Sequence, residues 1–249
     1  MEMKIKRVSR SGILPLLALN LLLSVSRADN KEPTFTTIDV PGATDTFAFE
    51  INSVGEIVGG HVDANGVEHG YLLSKGHFTT IDVPGAISSH AAGINPAGEI
   101  VGGYVDANGV EHSYLLSKGS FTFIDFPGAA STPEAAAINP AGEIVGFYFD
   151  VNDVAHGFLF SQGSFTTIDP PGSFFGGAFG INPAGEIVGG YFDANGVQHG
   201  YLLSEGSFTT IDPLGASFTG AFAINPGEDI VGLYTGEDGH NHGFLLSRK

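Results

Sequence analysis

The chain has 249 residues, no cysteine, and 27 acidic against 10 basic residues, which gives a formal net charge of −17 with histidine neutral. A chain without cysteine has neither disulfide bonds nor thiol chemistry. The acidic excess repels phosphate backbones and anionic lipid surfaces, so nucleic acid is not expected as a partner.

The N-terminal residues have the pattern of an export signal. Basic side chains among the first ten residues precede an apolar stretch over 13–25, and Ser26-Arg27-Ala28 offers small residues where a signal peptidase reads them. We predict a signal peptide over residues 1–28, followed by a short leader over 29–34. No other stretch is long and apolar enough to span a bilayer, so we expect a secreted (extracellular or periplasmic) protein without membrane insertion after cleavage.

Cleavage would make the protein still more acidic. The signal segment holds 5 of the 10 basic residues and 1 of the 27 acidic residues, so the mature chain would carry a net charge of −21. Such a charge favours solubility and attracts cations or neutral ligands.

Five near-copies of one unit fill the rest of the chain, residues 35–249. The copies begin at Phe35, Phe78, Phe121, Phe165 and Phe208, 43 or 44 residues apart. Each reads approximately F-T-T-I-D-x-P-G-A, a variable stretch, and then I-N-P-A-G-E-I-V-G-G-Y-x-D-A-N-G-V-x-H-G-Y-L-L-S-x-G-S. A fixed period in this range is typical of solenoids and propellers, whose units bury their apolar faces against one another. We therefore predict a single five-repeat domain.

Turn residues divide each repeat into four short apolar runs. In the second copy the runs are 91–94, 99–105, 112–117 and 121–126, separated by Asn-Pro-Ala-Gly, Asp-Ala-Asn-Gly and Lys-Gly. Asn-Gly is a strong hairpin signal, and Asn-Pro-Ala-Gly suits a type I turn. The pattern predicts a four-stranded antiparallel meander for each repeat.

Both faces of these strands are apolar, since Ile100 and Val101 are adjacent and so are Leu115 and Leu116. A sheet with one solvated face would alternate apolar and polar residues, so each sheet is expected to lie between two neighbours. We predict an all-β fold, a five-bladed β-propeller of four-stranded antiparallel blades. Its ring would be closed by the N-terminal strand, Phe35–Val40, pairing with the last blade over 218–247. An open β-solenoid is the alternative.

The His-[Gly/Ser]-[Tyr/Phe]-Leu element recurs in register with I-N and I-V-G blocks in all five units. Together with the I-N-P-x-G-E-I-V-G pattern, it resembles the HAF family of probable extracellular repeats. The resemblance covers residues 35–249. It implies an exported repeat protein and supplies no catalytic residues. The fifth unit departs from the pattern, with Asn225-Pro226-Gly227-Glu228-Asp229 in place of N-P-A-G-E.

The histidines of this element recur once per repeat, too far apart to share one metal ion. We interpret them as members of a structural hydrogen-bond network, since buried polar groups need partners. The network would pair the histidines His69, His112, His156, His199 and His242 with the aspartates Asp39, Asp82, Asp125, Asp169 and Asp212.

The D-A-N-G segments are similar to the start of a calcium loop but lack its later carboxylates and its terminal glutamate. We interpret them as hairpin turns, with no cofactor and no metal site; weak calcium binding at an acidic rim stays open as the alternative.

The loops that precede each first strand differ in sequence from one copy to the next. Surface loops on a rigid scaffold often carry function, and neutral drift is the alternative. Glu50 also departs from the repeat, at a position that holds glycine or alanine in the other copies. The candidate ligand-binding residues are Asp45, Glu50, His90, Glu134, Phe174, Phe175 and Phe218.

The sequence has no cysteine nucleophile, no G-x-S-x-G, no H-E-x-x-H and no phosphate-binding glycine loop. Polar groups beside aromatic side chains favour a non-catalytic binding module for carbohydrate or another extracellular polymer. A lyase or hydrolase that uses carboxylates at the channel mouth, and a purely structural or adhesive protein, are the alternatives. The oligomeric state is left open.

Overall fold

The turn residues of the repeat separate the strands of the structure, as they separate the apolar runs of the sequence. The computed structural model describes residues 36–127, 129 and 133–248, and the signal segment 1–28, the leader 29–34 and Phe35 lie outside these residues. Only strands, turns and bends occur in the described part. Ile38–Lys249 forms one unit, to which the following account applies.

One antiparallel meander forms per repeat period, and its fourth strand contains the phenylalanine that opens the next copy. Every strand pairs with the next. The first consists of β1 (Asp45–Ile51), β2 (Ile57–Val62), β3 (Glu68–Ser74) and β4 (His77–Ile81). The second consists of β5 (Ser88–Ile94), β6 (Ile100–Val105), β7 (Glu111–Ser117) and β8 (Ser120–Ile124). The third consists of β9 (Glu134–Ile138), β10 (Ile144–Phe149), β11 (Ala155–Ser161) and β12 (Ser164–Ile168).

The remaining two repeats follow the same order. The fourth meander consists of β13 (Phe175–Ile181), β14 (Ile187–Phe192), β15 (Gln198–Ser204) and β16 (Ser207–Ile211). The fifth has three strands in the described part: β17 (Phe218–Ile224), β18 (Ile230–Thr235) and β19 (Asn241–Leu246).

The turn chemistry of the repeat explains where the strands end. In the second meander the Gly98 N–H donates to the Asn95 carbonyl (3.0 Å) and closes the first turn. Lys118 and Gly119 have φ of 52° and 78°, the positive pair that a two-residue hairpin requires. The predicted antiparallel meander is confirmed in each repeat that the structure describes in full.

Close packing inside each meander explains the glycine of I-V-G. A Cβ added to Gly102 would overlap the His90 carbonyl oxygen and lie 2.8 Å from the Tyr114 hydroxyl. Tyr114 is fully buried and donates its hydroxyl proton to that same carbonyl (3.0 Å). The glycine therefore lets the tyrosine of the third strand reach the backbone of the first.

Apolar clusters fill the gaps between successive meanders, as the sequence pattern predicts. The cluster between the second and third meanders contains Val101, Ile124, Ala135, Ile138, Ile144, Tyr148 and Phe158. Equivalent clusters lie between the first and second, the third and fourth, and the fourth and fifth meanders. Each interior sheet is thus buried on both faces.

The first strands of consecutive meanders lie side by side, and all five line one axial cavity of about 190 Å³. Each first strand carries a register shift near its middle, for example between Ala48 and Glu50 in β1 and between Ala178 and Gly180 in β13. Such a bulge leaves one extra residue outside the regular pairing and re-aims the neighbouring side chains.

The hydrogen-bonded sheets differ in number from the prediction. Three sheets have four strands, and the fourth sheet has seven, because one parallel bridge between Gln198 and Phe218 joins the fourth and fifth meanders. Five separate four-stranded sheets were expected, so the prediction is wrong on this point.

The predicted ring closure by the N-terminal strand is also wrong for the described residues. Residues 36–40 form no strand, and the fifth meander has no fourth strand. Elsewhere the fourth strand follows the third through a two-residue turn, so its pairing is local. The closing strand would have to pair across almost the whole chain without such a turn, at a larger cost in loop entropy.

The two ends of the array consequently expose faces that are buried elsewhere. Val188 is fully buried between the fourth and fifth meanders, whereas its counterpart Val231 in β18 is 45% exposed. Ile94 is 2% exposed, whereas its counterpart Ile51 in β1 is 61% exposed. Among the described residues, no helix is long and apolar enough to cross a membrane.

Candidate functional site

The strand register defines one face of the array that collects the variable positions. Asp45 at the start of β1 pairs with Val62 at the end of β2, which pairs with Glu68 at the start of β3. The starts of the first and third strands and the D-A-N-G turns therefore share one face, here named the loop face. The Asn-Pro-Ala-Gly turns lie at the opposite ends of the strands.

A pocket of about 220 Å³ opens on the loop face between the second and third meanders. Its polar lining includes Glu68, His90, Glu111 and Glu134, and we name it the acidic pocket. The structure thus brings together His90 and Glu134, two of the predicted site residues. They occupy the same position in β5 and β9, where the other repeats have Phe47, Gly177 and Gly220.

Packing fixes the position of His90. A Cβ on Gly103 would lie 2.7 Å from His90 Cε1, so the ring covers a backbone position that has no side chain. The ring also meets Phe49 edge-on, with centroids 6.4 Å apart. His90 is therefore held between the wall of the second meander and the aromatic side of the axial cavity.

Glu134 begins β9 opposite Phe147 of β10. Burial by the surrounding pocket walls raises the pKa of its carboxyl. The nearby His90 partly offsets this rise, and the charge of Glu111 adds to it. Solvent still reaches this carboxylate, so the shift describes a group in a recess rather than one sealed from water. Such a carboxylate is well placed to accept hydrogen bonds from hydroxyl groups.

A second pocket, of about 140 Å³, lies in the next gap, between the third and fourth meanders. We name it the aromatic pocket, because rings form most of its wall: Phe147, Phe175, Phe179 and Phe192. The Phe175 centroid lies 5.7 Å from that of Phe192. Gln198 is a polar group in the lining.

Phe147 lines both pockets, so the two are neighbours on the loop face. It occupies a second-strand position that holds glycine at Gly60, Gly103 and Gly190. Phe147 therefore lies where a polar recess adjoins an apolar one. A ligand with a hydroxylated part and a flat apolar part can contact both recesses.

Three other predicted site residues line neither pocket. Phe174 is 52% exposed, with its ring 6.2 Å from Phe192, at the edge of the aromatic pocket. Phe218 pairs through its backbone with Gln198. Asp45 is exposed at the start of β1 and lines neither pocket.

Glu50 is placed apart from His90 and Glu134. It lines the axial cavity, near the end of β1 that is remote from the loop face, and the Ile94 N–H donates to its Oε2 (2.9 Å). Glu50, His90 and Glu134, three of the candidate ligand-binding residues, therefore do not line one common pocket.

Several lining residues were not predicted, because they lie on the second and third strands rather than in the variable loops or the first strands. Glu68 and Glu111 occupy a third-strand position that is alanine, glutamine or asparagine in the later repeats, and Phe147 replaces a glycine. A position-by-position comparison of the copies within strands would have found these departures.

The repeated histidines lie between two aspartates each, on the same face. His69 Nδ1 hydrogen-bonds Asp82 (2.8 Å), and its Nε2 lies 3.8 Å from Asp63 of the turn. The equivalent pairs are His156–Asp169 (3.0 Å) and His199–Asp212 (2.7 Å). These groups are partly exposed rather than buried.

Two histidines of the predicted network do not bond the aspartates expected for them. His112 Nδ1 lies 3.8 Å from Asp125, beyond hydrogen-bond distance. His242 bonds Asp238 (3.1 Å) rather than the predicted Asp39, because residues 36–40 form no strand that would carry Asp39 beside β19.

The D-A-N-G segments use their aspartate oxygens to hold the turn. Asp63 Oδ1 accepts from the N–H groups of Asn65 (2.8 Å) and Val67 (2.9 Å), and the Val67 N–H is the main cause of its lowered pKa. The described residues contain no group of three or more His, Asp or Glu that could hold a metal ion.

The comparisons with known proteins concern the fold. No protein-family model matches the chain, and no curated protein is significantly similar to it in sequence. AofleA from Arthrobotrys oligospora is similar in structure, with 12% identity and a TM-score of 0.50 over 85% of this chain and 72% of that one. TolB from Acinetobacter baumannii also has a TM-score of 0.50, with 16% identity over 78% of this chain and 52% of TolB.

A lectin from Aleuria aurantia, described as a six-bladed β-propeller with a novel mode of fucose recognition, has 14% identity and a TM-score of 0.49 over 80% of this chain and 73% of the lectin. Identities this low bear on the fold alone. With five first strands around one cavity and antiparallel meanders stacked outward from it, the chain is a protein of the β-propeller class. The resemblance to HAF repeats stays a prediction.

Proposed function

We propose that this protein is a non-catalytic binding module that holds a carbohydrate, or a similar hydroxylated extracellular polymer, on its loop face. The observation that carries the proposal is the junction at Phe147, where the acidic pocket meets the aromatic pocket. We also propose that each of the five repeats forms one propeller blade and that the chain is exported through the signal segment 1–28.

The two pockets suit the two sides of a sugar ring. The hydroxyl groups of a sugar donate to carboxylates such as Glu134 and Glu111, while its C–H faces pack on aromatic rings such as Phe175 and Phe192. Ligand pockets typically have one or a few polar groups set in an apolar and aromatic lining. Together the pockets provide this combination.

The size and the charge of the two pockets further limit the class of ligand. Pockets that enclose a drug-sized molecule usually measure about 300–1,000 Å³, and each of these is smaller. We infer that the ligand is an oligosaccharide or a polymer segment that lies across both. The three glutamates of the acidic pocket disfavour acidic polysaccharides, so the ligand is expected to be neutral.

A glycan-array screen of the chain from Asp29 onward, with and without calcium, tests the proposal. Fucosides belong on the array because the Aleuria aurantia lectin recognises fucose. Glu134→Gln and Phe175→Ala should each weaken binding about tenfold or more, since each removes a contact of one pocket. Glu205→Gln, in an exposed turn at the opposite face, is the matched control and should bind as the wild type does.

We expect the same result without calcium, because the turn aspartates already accept hydrogen bonds from their own loops. Absence of any selective binding by the folded wild type would refute the carbohydrate proposal and favour a structural or adhesive protein.

One observation favours an alternative lyase or hydrolase. His90 and Glu134 share the acidic pocket, and the raised pKa of Glu134 is a common property of acid–base groups. Incubation with each bound glycan, followed by chromatography of the products, distinguishes the two. Cleavage by the wild type but not by Glu134→Gln would favour the enzyme.

A further inference from the structure

The axial cavity has a lining unlike that of either loop-face pocket. Its wall combines three phenylalanines, Phe49, Phe179 and Phe222, with the single carboxylate of Glu50. The remainder of the lining consists of alanine, glycine and isoleucine. All five first strands contribute, so the cavity is a product of the whole array.

The strand bulges place these aromatic rings on the axis. Phe49, Phe179 and Phe222 are the extra residues of the register shifts in β1, β13 and β17. Phe49 is 52% exposed and Phe222 is 42% exposed, and the Phe179 and Phe222 centroids lie 6.0 Å apart. Because rings exposed around a cavity are not fully packed in the core, they can contact a ligand.

Glu50 has no counter-charge in the described part of the chain. Its Oε2 accepts the Ile94 N–H at 2.9 Å, and no lysine, arginine or histidine there forms an ion pair with it. A carboxylate in a mostly apolar cavity costs free energy unless it is paired. When Glu50 is ionised, its charge therefore has no positive partner among the described residues.

We propose that the axial cavity binds a small organic cation of the alkylammonium class, with Glu50 as its counter-ion and the phenylalanine rings contacting its methyl groups. Aromatic rings attract quaternary ammonium groups through their negative faces. A cavity of about 150 Å³ accommodates a benzene-sized molecule, so about 190 Å³ suits an ammonium group with several methyl substituents. This site is separate from the proposed carbohydrate site.

Other ligands fit the lining less well. A metal ion needs several oxygen or nitrogen ligands, and the cavity offers one carboxylate. A neutral apolar molecule would leave Glu50 unpaired. The acidic chain as a whole concentrates cations near its surface.

An entry route leads from the loop face. A cavity of about 390 Å³ adjoins the axial one, shares Phe49, Ala92 and Ala136 with it, and is also lined by His90 and Glu134. A cation that enters there passes two loop-face carboxylates, Glu68 and Glu134, before it reaches Glu50.

The test uses choline as the probe and 3,3-dimethylbutanol as its neutral counterpart of nearly the same shape. Isothermal titration calorimetry on the chain from Asp29 onward should detect saturable choline binding and at least tenfold weaker binding of the alcohol. Glu50→Gln and Phe222→Ala should each weaken choline binding at least fivefold, while Glu205→Gln should leave it unchanged. Circular dichroism verifies that each variant is folded.

Choline binding should also strengthen between pH 6 and pH 8, because burial raises the pKa of Glu50 to about 7 and only its charged form attracts the cation. Glu68, His90 and Glu134 are further ionisable groups that face the adjoining cavity. The same pH series is therefore run on Glu50→Gln, which should lose the trend. Equal binding of the alcohol, unchanged binding by folded Glu50→Gln, or no binding of choline would each overturn the proposal. Glu134→Gln should impair glycan binding and retain choline binding, which separates the two sites.

Discussion

At the scale of single residues, the asparagine of the I-N block joins each of the first three meanders to the next. Asn95 is almost fully buried, and its Nδ2 donates to Glu99 (2.8 Å) and to the Asn139 carbonyl of the following repeat (3.2 Å). Its Oδ1 accepts from the N–H groups of Ala97 and Glu99, both at 3.0 Å. One side chain thus holds its own turn and the neighbouring meander.

Replacement of this asparagine should cost most where its side chain bonds the following repeat. Asn95→Ala leaves buried backbone groups without partners and should lower the free energy of unfolding by about 3 kcal/mol. Asn225→Ala is the matched control, because Asn225 is exposed and its hydrogen bonds stay within its own turn. Urea denaturation measures both; equal losses would show that the bond to the next repeat adds nothing.

Glu50 should make stability depend on pH in a predictable direction. Burial raises its pKa from 4.5 to about 7, and the Ile94 N–H partly offsets this. A carboxyl with a raised folded pKa contributes stability that is complete below pH 4.5 and is lost as the pH rises through about 7. The free energy of unfolding of the wild type, measured relative to Glu50→Gln, should therefore fall by up to about 3 kcal/mol over this range. A constant difference between the two proteins would contradict the assignment.

At the scale of elements, the strands could be predicted and their irregularities could not. The runs predicted for the second repeat correspond to β5–β8 within a few residues, because turn residues bound each strand and apolar residues fill it. The bulges in the first strands have no local signal, since they follow from the pairing of two strands and from the packing of neighbouring meanders. They decide which aromatic side chains face the axis, so the phenylalanine rings beside Glu50 could not be predicted from the repeat.

The same substitution on a second strand should lower the free energy of unfolding more at a closed interface than at the open end of the array. Val188→Ala removes two methyl groups from a closed interface and should cost about 2 kcal/mol. Val231→Ala at the open end should cost well under half as much, because Val231 is already 45% exposed. Urea denaturation of the two variants gives the comparison. A cost at Val231 equal to that at Val188 would mean that the last face is covered in solution.

At the scale of the whole molecule, the repeat predicts the class of fold but not how the array ends. The propeller class follows from period, turn positions and two apolar faces, all of which are visible in the sequence. Closure depends on a pairing between residues far apart in the chain, and residues 36–40 form no strand. The exposed faces at Ile51 and Val231 are the structural consequence.

Only part of the candidate site could be predicted, because some of its residues come together only when successive meanders pack. His90, Glu134, Phe174 and Phe175 lie at the start of first strands or just before them, where divergence among the copies was visible. Phe147 and Glu111 lie on second and third strands, and they reach the site because successive meanders pack against each other. Only the assembled array shows that two different pockets share one ring.

The central claim is that this shared ring joins the two pockets into one carbohydrate site, and the most direct test is a glycan array probed with the wild type and with Phe147→Ala in parallel. We predict selective retention of neutral oligosaccharides by the wild type and a loss of at least tenfold in Phe147→Ala, with Leu214→Ala, at a fully exposed loop position, unchanged. Equal glycan binding by folded Phe147→Ala and wild type, or no binding by either, would contradict the claim.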